Sequence, residues 1–276
     1  MITKAIIPVA GWGTRRLPIT KIIEKSMLPV GNRPLVDYSV QDLIKAGVKD
    51  IYMVISNVEP CQVREFYKDN LALNQYLMER GKNDRLELAK TLPDDVTIHY
   101  TVQDPAGKYG TAVPIAMVVE EYSINEPVLV FMGDDFVWNP DGDSAAETLI
   151  KAAGENESAI LGVEIDKQDV EKYGVLSAED GKLVKVVEKP TPEEAPSNLI
   201  NVSKYIMTPD LLQRIIKYVN ENDFGPKDQE FMVTDPIDEY IKDGGVVKVA
   251  SANGEYLDGG SVEGWLHANN VVCGDR

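Results

Sequence analysis

The stretch "IIPVAGWGTRRLPIT", which begins at Ile6, sets Gly11, Gly13, Thr14, Arg15 and Arg16 directly behind an apolar run. Glycines after a strand let the backbone approach a ligand, and successive amides there can hold an anion. An arginine adds a planar fork of donors that matches phosphate oxygens. Phosphate binding is the chemistry these types suit. The same residues also fit a plain βα turn with its arginines in solvent. A dinucleotide fingerprint needs a third glycine three residues after Gly13, where Arg16 stands. A P-loop needs a G-K-S/T ending, which is absent. Beside the plain turn, this leaves a triphosphate loop charged by Arg15.

The elements that would carry such a loop alternate along the chain. "KAIIPVA", "DIYMVIS", "VTIHYTV" and "EPVLVFMGDD" are short β-rich runs. Between them lie helical patterns: "PLVDYSVQDLIKAGV", a long candidate from about Pro60 to Arg80, and "TAVPIAMVVEEY", interrupted early by Pro114. The βαβα order predicts a Rossmann-like α/β fold, with a mainly parallel central sheet and helices on both faces. Past Asp143 the texture changes. "AETLIKAAG" is helical, "SAILGVEI" extended, and "YGVLSAEDGKLVKVVEK" reads as two strands around a Gly-containing turn. A Pro-rich loop, "PTPEEAPSN", precedes a further strand and the helices "PDLLQRIIKYVNEN" and "TDPIDEYIKDGG". The strand "VVKVAS" then leads to "EYLDGGSVEGWLHANN", a loop feeding a helix. We read residues 1–276 as a single domain. It divides into an α/β half over 1–135 and a half with a small mixed β region over 136–276.

Composition narrows the partners. The 276 residues carry 28 Lys and Arg against 45 Asp and Glu, a net charge of −17. An acidic surface of this kind repels nucleic-acid backbones, so phosphates must be met by local cations and amides. Cys61 and Cys273 are the only cysteines, far apart, which argues against a disulfide framework or a zinc site and fits a reducing cytoplasm. The apolar segment Ala5–Ala10 is too short for a signal peptide, and no stretch approaches a membrane span. The acidic runs Glu155–Glu157 and Glu193–Glu194 read as solvated surface, and His99 and His267 as structural.

Extended to "GWGTRRLPITKIIEKSMLP", the loop resembles the signature of the sugar-phosphate nucleotidyltransferase family, G-x-G-T-R-x-x-P-x-T followed by K-x-x-L-P. "VVEKP" with "APSNL", "TDPID" and "YLDGGS" resemble its bacterial UTP–glucose-1-phosphate uridylyltransferase branch, over nearly the whole chain. The resemblance implies transfer of a nucleotidyl group from UTP to glucose 1-phosphate, giving UDP-glucose and pyrophosphate, in a homo-oligomer. It implies that Arg15 and the backbone of Ala10, Gly11, Gly13 and Thr14 hold the triphosphate, with Lys25 near the phosphates. Gln103 would read the base beside the Gly110 backbone. Gly174, Glu188 and Lys189 would meet the sugar and its phosphate, which makes 1–135 the nucleotide-binding half and 136–276 the sugar-binding half. Asp134 and Asp258 would bind Mg²⁺, whose preference for hard oxygen ligands they suit. Each has a plain reading too. Asp134 and Asp258 are turn aspartates, Gln103 a loop residue, Gly174 a strand start, and Glu188–Lys189 a solvated pair.

The chain also departs from that branch. Glu24 stands where a proline is usual, "AGKYGTAV" brings Lys108 and Thr111 in place of the branch's glycine and histidine, and Met232 replaces a glutamine. These bear on the choice of nucleotide and sugar, so the same reaction with dTTP or another sugar 1-phosphate stays open. So does a catalytically silent nucleotide-sugar sensor, which would not need the two aspartates. A dehydrogenase comes third, for want of the third glycine.

Overall fold

A computed structural model of the chain describes residues 2–154, 156–223 and 230–274; Glu155, in the first acidic run, lies outside the described residues. Strand β1 (Lys4–Pro8) leads into a long loop with single 3₁₀ turns at Thr14–Arg16, Ile19–Lys21 and Lys25–Met27. The short hairpin of β2 (Pro29–Val30) and β3 (Arg33–Pro34) delivers the chain to α1 (Leu35–Lys45) and β4 (Asp50–Ser56). Two helices, α2 (Gln62–Tyr67) and α3 (Leu71–Glu79), follow where the sequence predicted one long helix from about Pro60 to Arg80, and α4 (Asn83–Ala89) lies beyond it. The break falls at Lys68–Asn70, and the Asn70 side chain starts α3 by accepting the Leu73 amide at 3.0 Å, which is N-cap chemistry.

Then come β5 (Thr97–Gln103), α5 (Ala112–Glu121), β6 (Val128–Phe131), β7 (Asp135–Trp138), α6 (Ala145–Ala152) and β8 (Ser158–Glu164). Pro114 sits in the first turn of α5, where a missing N–H costs no helical bond. The hairpin of β9 (Gly174–Glu179) and β10 (Lys182–Glu188) turns through Asp180 and Gly181, both at positive φ, as its tight connection requires. The chain closes with β11 (Leu199–Met207), α7 (Pro209–Glu221), α8 (Thr234–Lys242), β12 (Val247–Ser251), β13 (Glu255–Asp258) and α9 (Val262–Gly274).

The main sheet has nine strands in the order β5-β4-β1-β6-β11-β8-β12-β10-β9. In its first half β5, β4, β1 and β6 are all parallel, as the sequence predicts. The second half corrects that expectation. There β11 runs antiparallel to β6 and β8, and β10 antiparallel to β12 and β9. A further β11–β9 pairing joins β11, β8, β12, β10 and β9 into a closed ring. The sheet is therefore mixed, with β8 and β12 forming a further parallel pair inside the second half. The β9–β10 hairpin owes its antiparallel sense to a short turn, whereas β11 meets β6 and β8 across long stretches of chain.

Successive residues of one strand show how both faces are covered. Ala5 and Ile7 pack with Val36, Val40 and Leu43 of α1 and Leu149 of α6. Ile6 packs on the other face with α5 and with Leu211, Leu212 and Ile215 of α7. All of these are fully or nearly fully buried, and each buried side chain contributes about 1.5–3 kcal/mol. The parallel strands therefore read as unbroken apolar runs, and their carboxyl ends, at Pro8, Ser56, Gln103 and Phe131, share one edge. Ligands collect at that edge in open α/β sheets. No helix among the described residues is long and apolar enough to cross a membrane.

Candidate active site

The loop after β1 is shaped by one glycine. Gly13 adopts φ 62°, and a Cβ there would lie 2.9 Å from the Lys25 Cβ. Its carbonyl accepts the Arg16 amide at 2.8 Å and the Thr20 hydroxyl at 2.8 Å, which folds the loop back over Lys25. Ala10 follows the β1 end and packs on the α5 side of the core, while Gly11, Thr14 and Arg15 are exposed. Burial and Glu230 push the Tyr109 phenol up, and the charges of Arg15 and Lys25 oppose that shift.

Lys25 meets Asp134, and Asp258 lies on the adjoining strand. The Lys25 ammonium donates to the Asp134 carboxylate. Burial pushes the Asp134 carboxyl up, but the Lys25 charge and hydrogen bond outweigh it and hold the group below its ordinary value. Asp258 lies on β13, whose register with β7 sets it directly opposite Asp135. The Gly259 amide donates to the Asp134 carbonyl at 2.9 Å. This two-stranded β7–β13 ribbon is what brings residues so distant in sequence to one place. Asp258 also organises the start of α9, accepting the Gly260 amide at 2.6 Å and the Ser261 hydroxyl at 3.3 Å.

Behind the ribbon lies a charge pair that sequence reasoning missed. Lys204, 1% exposed, reaches the Asp135 carboxylate, and the Tyr256 hydroxyl donates to the same carboxylate at 2.9 Å. Burial pushes the Asp135 carboxyl up to about 6, against the pull of Lys204 and with a further push from Asp134. The Tyr256 phenol is held far up, first by burial and then by the charges of Asp135, Asp258 and Asp134. A signal was present: Lys204 is a lone charge in the apolar strand "LINVSKYIM", and a buried lysine needs a partner.

The sugar-side residues adjoin this ribbon. Gly174 pairs with Glu188 across the β9–β10 hairpin, and a Cβ at Gly174 would meet the Glu188 carboxylate at 3.2 Å. Lys189 follows at φ 46°, and its amide donates to the Tyr173 carbonyl at 3.0 Å. The Tyr173 ring meets the Tyr256 ring edge-on with centroids 5.6 Å apart, which links the hairpin to the aspartates. Gln103 ends β5, and its amide nitrogen donates to the Lys108 carbonyl at 3.3 Å.

Two of the four departures from the uridylyltransferase pattern, Thr111 and Met232, meet in one contact. Gly110, at φ 132°, lets the chain touch the segment of residues 231–233 that leads into α8, and a Cβ there would lie 2.4 Å from the Phe231 nitrogen. Phe231 exchanges backbone bonds with Tyr109 and Ala112, and the Thr111 hydroxyl accepts the Val233 amide at 2.9 Å, with Met232 between. Lys108 points away from Gln103. Its ammonium donates to the carbonyls of Val219 at 2.5 Å and Asn222 at 2.9 Å and closes the carboxyl end of α7. Lys108→Met is expected to cost about 1–3 kcal/mol in urea unfolding, the scale of a hydrogen bond to a charged group, with nucleotide preference unchanged. A changed preference without a stability loss would place Lys108 in the base pocket instead. The fourth departure, Glu24, accepts the Gln62 amide at 2.5 Å, while its own amide donates to the Gln62 side chain at 2.9 Å. This exchange fixes the turn before Lys25 to the start of α2.

The glycine-arginine loop, the carboxyl edge of the parallel strands and the adjoining β7–β13 ribbon together form the candidate site. Residues 4–274 match the nucleotidyl transferase family, and the chain belongs to it. The UTP–glucose-1-phosphate uridylyltransferase of Pseudomonas aeruginosa PAO1 is 33% identical over 98% of this chain and 95% of its own length. Among solved structures, the UTP-bound UGPase from Acinetobacter baumannii superposes with a TM-score of 0.87 at 25% identity, covering 100% of this chain and 95% of that one. A UDP-glucose pyrophosphorylase complexed with UDP-glucose gives 0.83 at 29% identity, with both chains fully covered.

Proposed function

We infer that the protein transfers the uridylyl group of UTP to glucose 1-phosphate, giving UDP-glucose and pyrophosphate. The observation that supports this reading is the Lys25–Asp134 pair beside the glycine-arginine loop, with the Asp258 strand paired next to it, at the carboxyl edge of the parallel strands. The reacting oxygen belongs to the sugar phosphate and is already anionic. It attacks the α-phosphorus of UTP as the bond to the pyrophosphate oxygen breaks, and no protein base is needed. The barrier lies in joining two polyanions and stabilising the charge that gathers on the leaving group.

Arg15 and the amides from Ala10 to Thr14 grip the triphosphate. Lys25 exchanges its partner Asp134 for a phosphate oxygen. Gln103 and the Gly110 backbone receive the base, and Gly174, Glu188 and Lys189 receive the glucose phosphate. Asp134 and Asp258 would hold Mg²⁺. Two hard carboxylates at adjoining ribbon positions fit an ion that keeps waters and takes substrate phosphates as its other ligands. No cluster of three or more acidic, His or Cys groups among the described residues forms a complete metal cage, which suits an ion that arrives with the nucleotide. When bound, Mg²⁺ supplies charge neutralisation at the phosphates. The cytoplasm, where UTP is plentiful and both cysteines stay reduced, is the fitting compartment.

Incubation with UTP and glucose 1-phosphate, read by phosphorus NMR, is expected to yield UDP-glucose and pyrophosphate. Hydride exchange with NAD and no pyrophosphate would favour a dehydrogenase, and UTP binding without turnover a sensor. Gln103→Ala is expected to lower the preference for UTP over purine triphosphates by a factor of about ten, since a lost hydrogen bond in a closed site costs about 1–3 kcal/mol. An unchanged ratio of kcat/KM values would remove Gln103 from the base pocket.

A further inference from the structure

Arg16 has no part in the mechanism above, yet it is 3% exposed, a burial arginine rarely takes without partners. Its guanidinium donates from one nitrogen to the Gly259 carbonyl at 2.7 Å and to the Ser261 carbonyl at 2.6 Å. The carbon of the same group lies 5.2 Å over the Trp265 ring. Both carbonyls belong to the turn that begins at Asp258, and the Asp258 and Glu263 carboxylates lie close enough to favour the charged guanidinium. The Arg16 backbone belongs to the other loop, where its amide donates to the Gly13 carbonyl at 2.8 Å. One side chain therefore spans from the triphosphate loop to the turn carrying the second acidic ligand. Buried carbonyls need a donor, and among the described residues Arg16 supplies one to Gly259 and Ser261.

We propose that Arg16 is a positioning residue that fixes the Asp258 turn to the Arg15 loop, so that metal carboxylate and triphosphate cation meet the nucleotide in a set relation. The proposal rests on the reading of Asp258 as a metal ligand. Partners that orient a ligand typically change metal affinity by about 10–100-fold when lost. A methionine of similar length fills the space and satisfies neither carbonyl. A lysine keeps the charge without the fork.

The test uses Arg16→Met and Arg16→Lys in the full chain, with two readouts. In the nucleotide-free protein, hydrogen exchange at the amides of residues 259–264 is expected to quicken roughly tenfold in Arg16→Met, with Arg16→Lys between it and the parent. In turnover, the Mg²⁺ concentration for half-maximal rate is expected to rise about tenfold, while kcat at saturating Mg²⁺ stays within about twofold. A residue serving only stability would lower the melting temperature and leave the Mg²⁺ requirement of the folded fraction unmoved. Unchanged exchange and unchanged Mg²⁺ dependence in folded protein overturn the proposal, as does a kcat loss that Mg²⁺ does not restore. If Arg16→Met fails to fold, Arg16→Lys is read by the same criteria. Should the parent protein make no UDP-glucose, the exchange measurement still reports on the link between the loops, and the two failures stay separate.

Discussion

Asp134→Asn is expected to lower kcat/KM for UDP-glucose formation on the order of a hundredfold or more, and Asp258→Asn to do the same. A metal that neutralises phosphate charge contributes several kcal/mol to the transition state, and each carboxylate supplies part of its hold. The amide keeps the size of the side chain and removes its charge, so circular dichroism and thermal unfolding should stay close to the parent. The double variant should lose less than the product of the single losses, because both residues act through one ion. Steady-state kinetics at several Mg²⁺ concentrations measure this. Near-normal turnover in either variant at low Mg²⁺ would remove that aspartate from the metal site.

That pairing shows where the sequence was legible. The strand run ending in Asp134 and the loop around Gly13 stand out because buried parallel strands are unbroken apolar runs and glycine marks a tight return. The β7–β13 ribbon was not legible. Its strands are four residues each, and its register joins positions more than a hundred residues apart. The antiparallel second half of the sheet was missed for a related reason. Local periodicity announces strands and helices, but the side on which β11 inserts depends on the whole sheet. Arg16 was seen only as a missing glycine. Its partners are two backbone carbonyls, and no pattern of side-chain types can announce a carbonyl. Lys108 was placed near the base by its neighbours in sequence, but its length carries the ammonium to the end of α7.

The largest stability effect is expected at Lys204→Met. Lys204 is 1% and Asp135 8% exposed in their side chains, so the variant leaves a carboxylate buried without its cation. Breaking a buried pair from one side costs about 3–5 kcal/mol, read as a lowered midpoint in urea unfolding near neutral pH. The pH dependence has a definite sign. With its folded pKa raised to about 6 from 3.8, Asp135 binds more protons in the folded than in the unfolded chain between those values. Its contribution to stability is therefore greatest at the acid end of that window, falls as pH rises through it, and is level above. Without Lys204 the folded pKa rises further, so the variant should regain stability on going from about pH 8 to about pH 6, where the parent's Asp135 contribution is nearly level. Adding Asp135→Leu should recover much of the loss, since an apolar pair can replace a buried ion pair. An unchanged urea midpoint in Lys204→Met would show that the pair does not hold the ribbon in place.

The central claim is the reaction itself, and pyrophosphate release across a matrix of nucleotides and sugars tests it most directly. UTP, ATP, GTP, CTP and dTTP are each combined with glucose 1-phosphate and with other hexose 1-phosphates, in Mg²⁺ and in chelator. The account predicts fastest release with UTP and glucose 1-phosphate, loss of release in chelator, and loss again in Asp134→Asn. No release from any pair would contradict it in favour of a binding protein. Faster release with dTTP or with another sugar would keep the chemistry and overturn the substrate.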